Sequence, residues 1–239
     1  MLASTLGLGI LLGMQHATEA DHVAAVCSIA SGRKGIRAIS RHGIFWGFGH
    51  TLTLLLVAGT CLVLHTTVPD NIADRLESAV GVMLIFLGLH VFYRVWRSRI
   101  HFHRHSHGGG DVHFHAHSHR DEKRPHAQSK HDHGHSENLP WRTLAVGLVH
   151  GLGGSAALVV LTASTSSSPW WGLAYILAFG VGTTIGMGLF SAIIAAPITL
   201  TAKSLTFANH TLQLAIGFIT CGIGTRILLE HGPSLFAGG

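Results

Sequence analysis

The chain has 239 residues, 47% hydrophobic and only 11% charged, with a formal net charge of +5 and a mean hydropathy of +0.40. A soluble domain of this size seldom shows that balance, so the chain reads as an all-α polytopic membrane protein. The basic excess lies between apolar runs, which makes it a topology signal and argues against a nucleic-acid partner.

A membrane-spanning helix needs about 20 mainly apolar residues. Six stretches qualify, at 4–30, 43–65, 75–97, 142–164, 170–197 and 207–229, and predict a six-helix bundle. The first opens with MLASTLGLGILLGMQH, which has no basic leader and no cleavage site, so it is expected to be retained as a span. It then runs into His16-Ala17-Thr18-Glu19-Ala20-Asp21-His22. A charged group at the bilayer centre costs roughly 2.5–3.5 kcal/mol on insertion scales, so acids and imidazoles in a span point to transport or catalysis. On a straight helix His16, Glu19 and His22 stay within about a third of the circumference while Asp21 points elsewhere. For His16, Asp21 and His22 to meet one ion the helix must bend or unwind, as broken spans do in transporter sites, and Gly13 lowers the cost.

Imidazole nitrogen with carboxylate oxygen suits first-row ions such as nickel, cobalt or zinc, whereas calcium and magnesium call for oxygen-only shells. The basic connection GRKGIRAISRH leads into the second span, where Gly47-Phe48-Gly49-His50-Thr51-Leu52-Thr53 adds one imidazole and two hydroxyls. His50 is read as a third imidazole ligand or a hydrogen-bonded packing residue. Thr51, Thr53 and Glu19 are candidates for the surrounding shell, with Glu19 also open to ligation or proton carriage.

The acidic connection VPDNIADRLES precedes the third span. After that span comes the segment 98–140, expected to be disordered because it cannot bury a core. It carries His101, His103, His105, His107, His113, His115, His117, His119, His126, His131, His133 and His135, weak ligands able to collect or buffer metal. Arg94, Arg97, Arg99 and Arg142 flank it, so this loop is predicted to be cytoplasmic and both termini outside. Cys27, Cys61 and Cys221 lie in separate spans without metal or disulfide spacing.

Residues 147–231 repeat the pattern of 13–95. GLVHGLGGSAALVV lies over GMQHATEADHVAAV, placing His150 on His16, while Gly153, Ser155 and Ala156 replace Glu19, Asp21 and His22. His150 and Ser155 are thus candidates for either site or structure. Later, Gly47, Gly81 and Gly88 lie over Gly180, Gly217 and Gly224. Three spans per half is an odd number, so the halves 1–97 and 141–239 are expected to form a 3+3 inverted-topology repeat with a site at its interface.

HATEADHV at 16–23 is similar to the His, four residues, Asp, His signature of the nickel/cobalt transporter family, and FGHT at 48–51 resembles its second-helix signature. The resemblance covers all six spans and is nearest to the short, urease-accessory-type members. It implies secondary transport of Ni²⁺ or Co²⁺ as substrate across a bacterial-type inner membrane, with no prosthetic group. His16, Asp21, His22 and His50 carry over as metal-binding residues, and a cytoplasmic metallochaperone or nickel-enzyme maturation proteins are the implied partners. HGLGGSA departs from the acidic motif of longer permeases. The histidine-rich loop resembles efflux members, which tend to have Gly where Asp21 stands, so uptake is favoured over efflux. The competing functions are an intramembrane serine hydrolase built on Ser155 and a membrane-anchored metal store or sensor.

Overall fold

A computed structural model describes residues 2–31, 35–97, 100–106, 112–118, 141–153, 168–204 and 206–235. The first apolar stretch forms two helices, α1 (Leu2–His16) and α2 (Ala20–Ala30), interrupted at the ionisable motif. Then follow α3 (Ile36–Val63), α4 (Asp70–Arg97), α5 (Trp141–His150), α6 (Pro169–Ser204) and α7 (Thr206–His231). Among the described residues, Ile36–Val63, Asp70–Arg97, Pro169–Pro197 and Asn209–His231 are long and apolar enough to cross a membrane. The fourth expected span is seen only as α5, and its remainder lies outside the described residues.

Of the connection 98–140, expected to be disordered, only 100–106 and 112–118 are described, and these are extended. Strands β1 (Ile100–Ser106) and β2 (Val112–Ser118) pair antiparallel, with His101, His103 and His105 in register with His117, His115 and His113. The cause is alternation: HFHRHS and VHFHAHS repeat with the two-residue period of a strand, a signal that polar composition obscures. His107, His119, His126, His131, His133 and His135 lie outside the described residues.

Small residues set the packing. A Cβ on Gly43 would overlap Ser191, one on Gly47 would meet Thr184, and one on Gly180 would overlap Thr51, so α3 runs antiparallel to α6 at close range. Gly81 against Gly224 and Gly88 against Gly217 set α4 antiparallel to α7 in the same way. These contacts come in pairs that exchange when residues 13–95 are laid over 147–231, Gly47 and Thr184 answering Gly180 and Thr51. The helices α1 and α5 also pack correspondingly, α1 on α6 and α5 on α3.

Leu54, Leu84, Ile176 and Met187 are fully buried between the helices. Phe48, Leu56, Phe86, Ile193 and Phe218 are exposed on the outer surface, as a bundle in lipid requires. Exposed Trp96 and Trp141 mark the end from which the histidine-rich connection leaves, while Trp170 and Trp171 stand at the start of α6, giving aromatic anchors at the interfaces.

Candidate metal centre

The break after α1 is a single tight turn. Ala17 N–H donates to Gly13 O (3.2 Å), Thr18 N–H to Gln15 O (2.9 Å) and Glu19 N–H to His16 O (3.0 Å), after which extended backbone at Glu19 (φ −64°, ψ 152°) starts α2. Gly13 permits the turn to sit against α6, since a Cβ there would overlap the carbonyl oxygen of Phe179. His16 thus ends one helix, where carbonyl dipoles favour a cation, and Asp21 occupies the first turn of the next, where amide dipoles favour an anion.

The deformation brings together side chains that a straight helix keeps apart. The His16 and His22 ring centroids are 4.3 Å apart, and His50 from α3 stands 5.4 Å from His16 and 5.2 Å from His22. His150, the last residue of α5, lies 4.1 Å from His22. Exposures of 6% for His16, 1% for His22, 0% for His50 and 2% for His150 place all four imidazoles in the protein interior.

Two overlapping groups result. Ligand atoms of His16, His22 and His50 lie within 4.8 Å of one another, as do those of Asp21, His22 and His150, and His22 belongs to both. Imidazole binds first-row ions at about 2.0–2.1 Å, which spaces neighbouring ligand atoms about 3–4 Å apart, so either group closes on an ion with shifts of about 1 Å.

The hydrogen bonds divide the ring nitrogens into two kinds. Glu19 Oε1 is 2.8 Å from His16 Nδ1, Asp21 Oδ1 is 2.9 Å from His22 Nδ1, and Asp21 Oδ2 is 2.9 Å from His150 Nε2. Asp21 Oδ1 also accepts the His22 backbone N–H at 2.8 Å, fixing the carboxylate between the two histidines. His16 Nε2, His22 Nε2, His150 Nδ1 and both nitrogens of His50 are buried with no hydrogen-bond partner among the described residues. Carboxylates on one imidazole nitrogen with the other nitrogen unsatisfied is the arrangement that orients metal-ligating histidines.

Of the other expected residues, Thr51 and Thr53 fall outside this cluster. Thr51 donates to Gly180 O (2.8 Å) and lies 3.0 Å from Thr184 Oγ1, so it joins α3 to α6. Thr53 is buried beside Gly151, one residue beyond His150. Ser155 lies outside the described residues. Composition and spacing did not single out Trp46, whose ring stands 5.7 Å from His22 and 5.3 Å from His150, or Phe179, 5.4 Å from His16. The four-residue spacing of His42, Trp46 and His50 was the available signal.

A polytopic helical bundle with a broken span and a buried histidine–carboxylate cluster belongs to the class of membrane transport proteins. The family model described as high-affinity nickel-transport protein matches residues 2–229, and the chain belongs to this NicO family. It is 35% identical over 232 residues to the urease accessory protein UreH of Bacillus sp. (strain TB-90), a match covering 97% of this chain and 93% of that protein. It is also 24% identical to the chloroplast protein FOR GROWTH AND FERTILITY 1 of Arabidopsis thaliana, covering 95% of this chain and 60% of that protein. No solved structure matches. Family membership makes the chain a membrane transporter of nickel, with the metal ion as substrate, and not an enzyme.

Proposed function

We propose that this protein takes up Ni²⁺, and Co²⁺ alongside it, across the bacterial inner membrane, binding the ion at His16, His22 and His50. The observation that carries the reading is that ligand atoms of His16, His22 and His50 lie within 4.8 Å of one another and each imidazole has a buried, unsatisfied nitrogen, while Glu19 and Asp21 hold the other nitrogens of His16 and His22. Asp21 is then an orienting carboxylate that also reaches His150, and it becomes a ligand when its hydrogen bonds are exchanged for the ion.

The exchanging glycine contacts and the antiparallel packing of α3 on α6 and α4 on α7 support a 3+3 inverted repeat whose halves rock around the cluster. Positive charge at the end bearing 98–140 supports a cytoplasmic loop, with both termini outside. There the paired histidines of β1 and β2 act as an accessory collector, and the ion passes to a metallochaperone or to nickel-enzyme maturation proteins.

Radionickel and radiocobalt accumulation in cells tests the whole reading. Wild type is expected to accumulate both ions, and His16→Ala and Asp21→Asn to lose most of that flux. Equal accumulation in all three overturns it, and lower accumulation in wild type than in the variants establishes export. Deleting 101–135 should leave flux in place with altered metal sensitivity, whereas complete loss of metal handling favours the store.

A further inference from the structure

We infer that Trp46 is the inner gate of the ion route and that His42 and Ser191 line the first position beyond it. The inference rests on the histidine cluster being the ion site. His42, Trp46 and His50 recur every four residues, so they form one stripe along α3. At one end of the stripe His50 belongs to the cluster. In the middle, the fully buried indole of Trp46 lies against both His22 and His150.

Past the indole is a small cavity of about 10 Å³, lined by Val26, Ala30, Ile39, His42, Trp46 and Ser191. That is room for about one water molecule. Trp46 therefore touches the cluster with one part of its surface and walls the cavity with another. Trp46 packs in the core with Ala25, Val26, Leu84 and Met187, yet its Nε1 is buried with no partner among the described residues, whereas a buried indole N–H ordinarily has one.

The chemistry beyond the indole suits a partly dehydrated divalent cation. His42 Nδ1 lies 2.6 Å from Thr143 Oγ1, which fixes that imidazole against α5 two turns before His150, and the Ser191 hydroxyl is buried on the facing helix. This end of the bundle holds the start of α3, the end of α4 and the start of α5, so it is also where the histidine-rich connection leaves. Elsewhere the cluster borders exposed Glu19 and part-exposed Asp21. The site is thus approachable at the helix break and closed at the indole. A cavity that holds one water cannot take the ring, so the route opens when the helices around the indole part, and this joins the cluster to His42.

The test uses the full chain in proteoliposomes, reading ⁶³Ni²⁺ flux down its gradient together with equilibrium Ni²⁺ binding. Trp46→Ala is expected to bind Ni²⁺ as wild type does and to leak about tenfold faster, the effect of lowering the barrier by about 1.4 kcal/mol. Trp46→Phe, which keeps a ring, should fall between the two, and Trp46→Leu gives the same reading as Trp46→Ala if that variant does not fold. His42→Ala should bind normally and carry Ni²⁺ about tenfold more slowly. Wild-type flux in the ringless variants, or loss of Ni²⁺ binding in all Trp46 variants, overturns the gate. Wild-type flux in His42→Ala overturns the inner position. Ni²⁺ binding retained in His22→Ala overturns the ion site itself, whatever the Trp46 variants do.

Discussion

The turn that follows His16 and the turn that follows His150 have the same backbone and different chemistry. In the first, the amides of Ala17, Thr18 and Glu19 bond the carbonyls of Gly13, Gln15 and His16. In the second, those of Gly151, Leu152 and Gly153 bond Gly147, Val149 and His150. Each turn ends a helix at a buried histidine, and each has a glycine three residues earlier that presses on a neighbouring helix. Yet the first turn leads to Glu19, Asp21 and His22, whereas the second leads to Gly153. The two turns share one hydrogen-bond pattern, and only the first carries acids. The motif's costly acids thus stand at the first break, beside four buried imidazoles.

The comparison breaks most sharply at His22, the residue common to both ligand groups. Replacing it with Ala should weaken Ni²⁺ binding by at least about 100-fold, the upper end of what loss of an outer-shell partner costs, as read by titration calorimetry on purified protein. Retained affinity would mean that neither group is the ion site.

The shared scaffold makes the next prediction symmetrical. Gly13→Ala drives a methyl into Phe179, and Gly147→Ala drives one into the Trp46 carbonyl. Each should cost about 1–3 kcal/mol, the usual range for overpacking, with a matching fall in thermal midpoint in detergent. A large loss from only one of them would show that the halves do not share a packing plan.

A smaller effect is expected from the poorer half. His150→Ala removes one ligand from the second group and leaves His16, His22 and His50 in place, so Ni²⁺ affinity should fall about tenfold. A loss as large as that of His22→Ala would make the two halves equal contributors and dissolve the asymmetry. The smallest effect belongs to Thr51→Val, which removes the hydrogen bonds between α3 and α6 and should cost about 0.6 kcal/mol, the mean for interhelical bonds in a bilayer, with Ni²⁺ affinity unchanged in the same titration.

Much of this arrangement was legible from residue order. Long apolar runs must be helices in lipid, because no other open element satisfies its own backbone there, and this located α3, α4, α6 and α7. The spacing of His16, Asp21 and His22 required a deformed helix, and the chain breaks at 17–19. The pairing of β1 with β2 was not legible in composition, which is polar and histidine-rich, although the alternation within each segment fits a strand.

What the sequence determined by itself is the inventory: helical spans, an ionisable motif too costly to be incidental, and a second glycine-rich segment that holds one histidine and no acid. Only the tertiary structure decided how that inventory is used. It sorted the motif into two groups sharing His22, tied Asp21 to His150 across 129 positions, set Thr51 aside as helix packing, and brought an unremarked tryptophan against the imidazoles. The reason is physical. Helical periodicity and transfer cost act within a segment and can be read along the chain, whereas which nitrogen meets which carboxylate depends on close approach of helices distant in sequence.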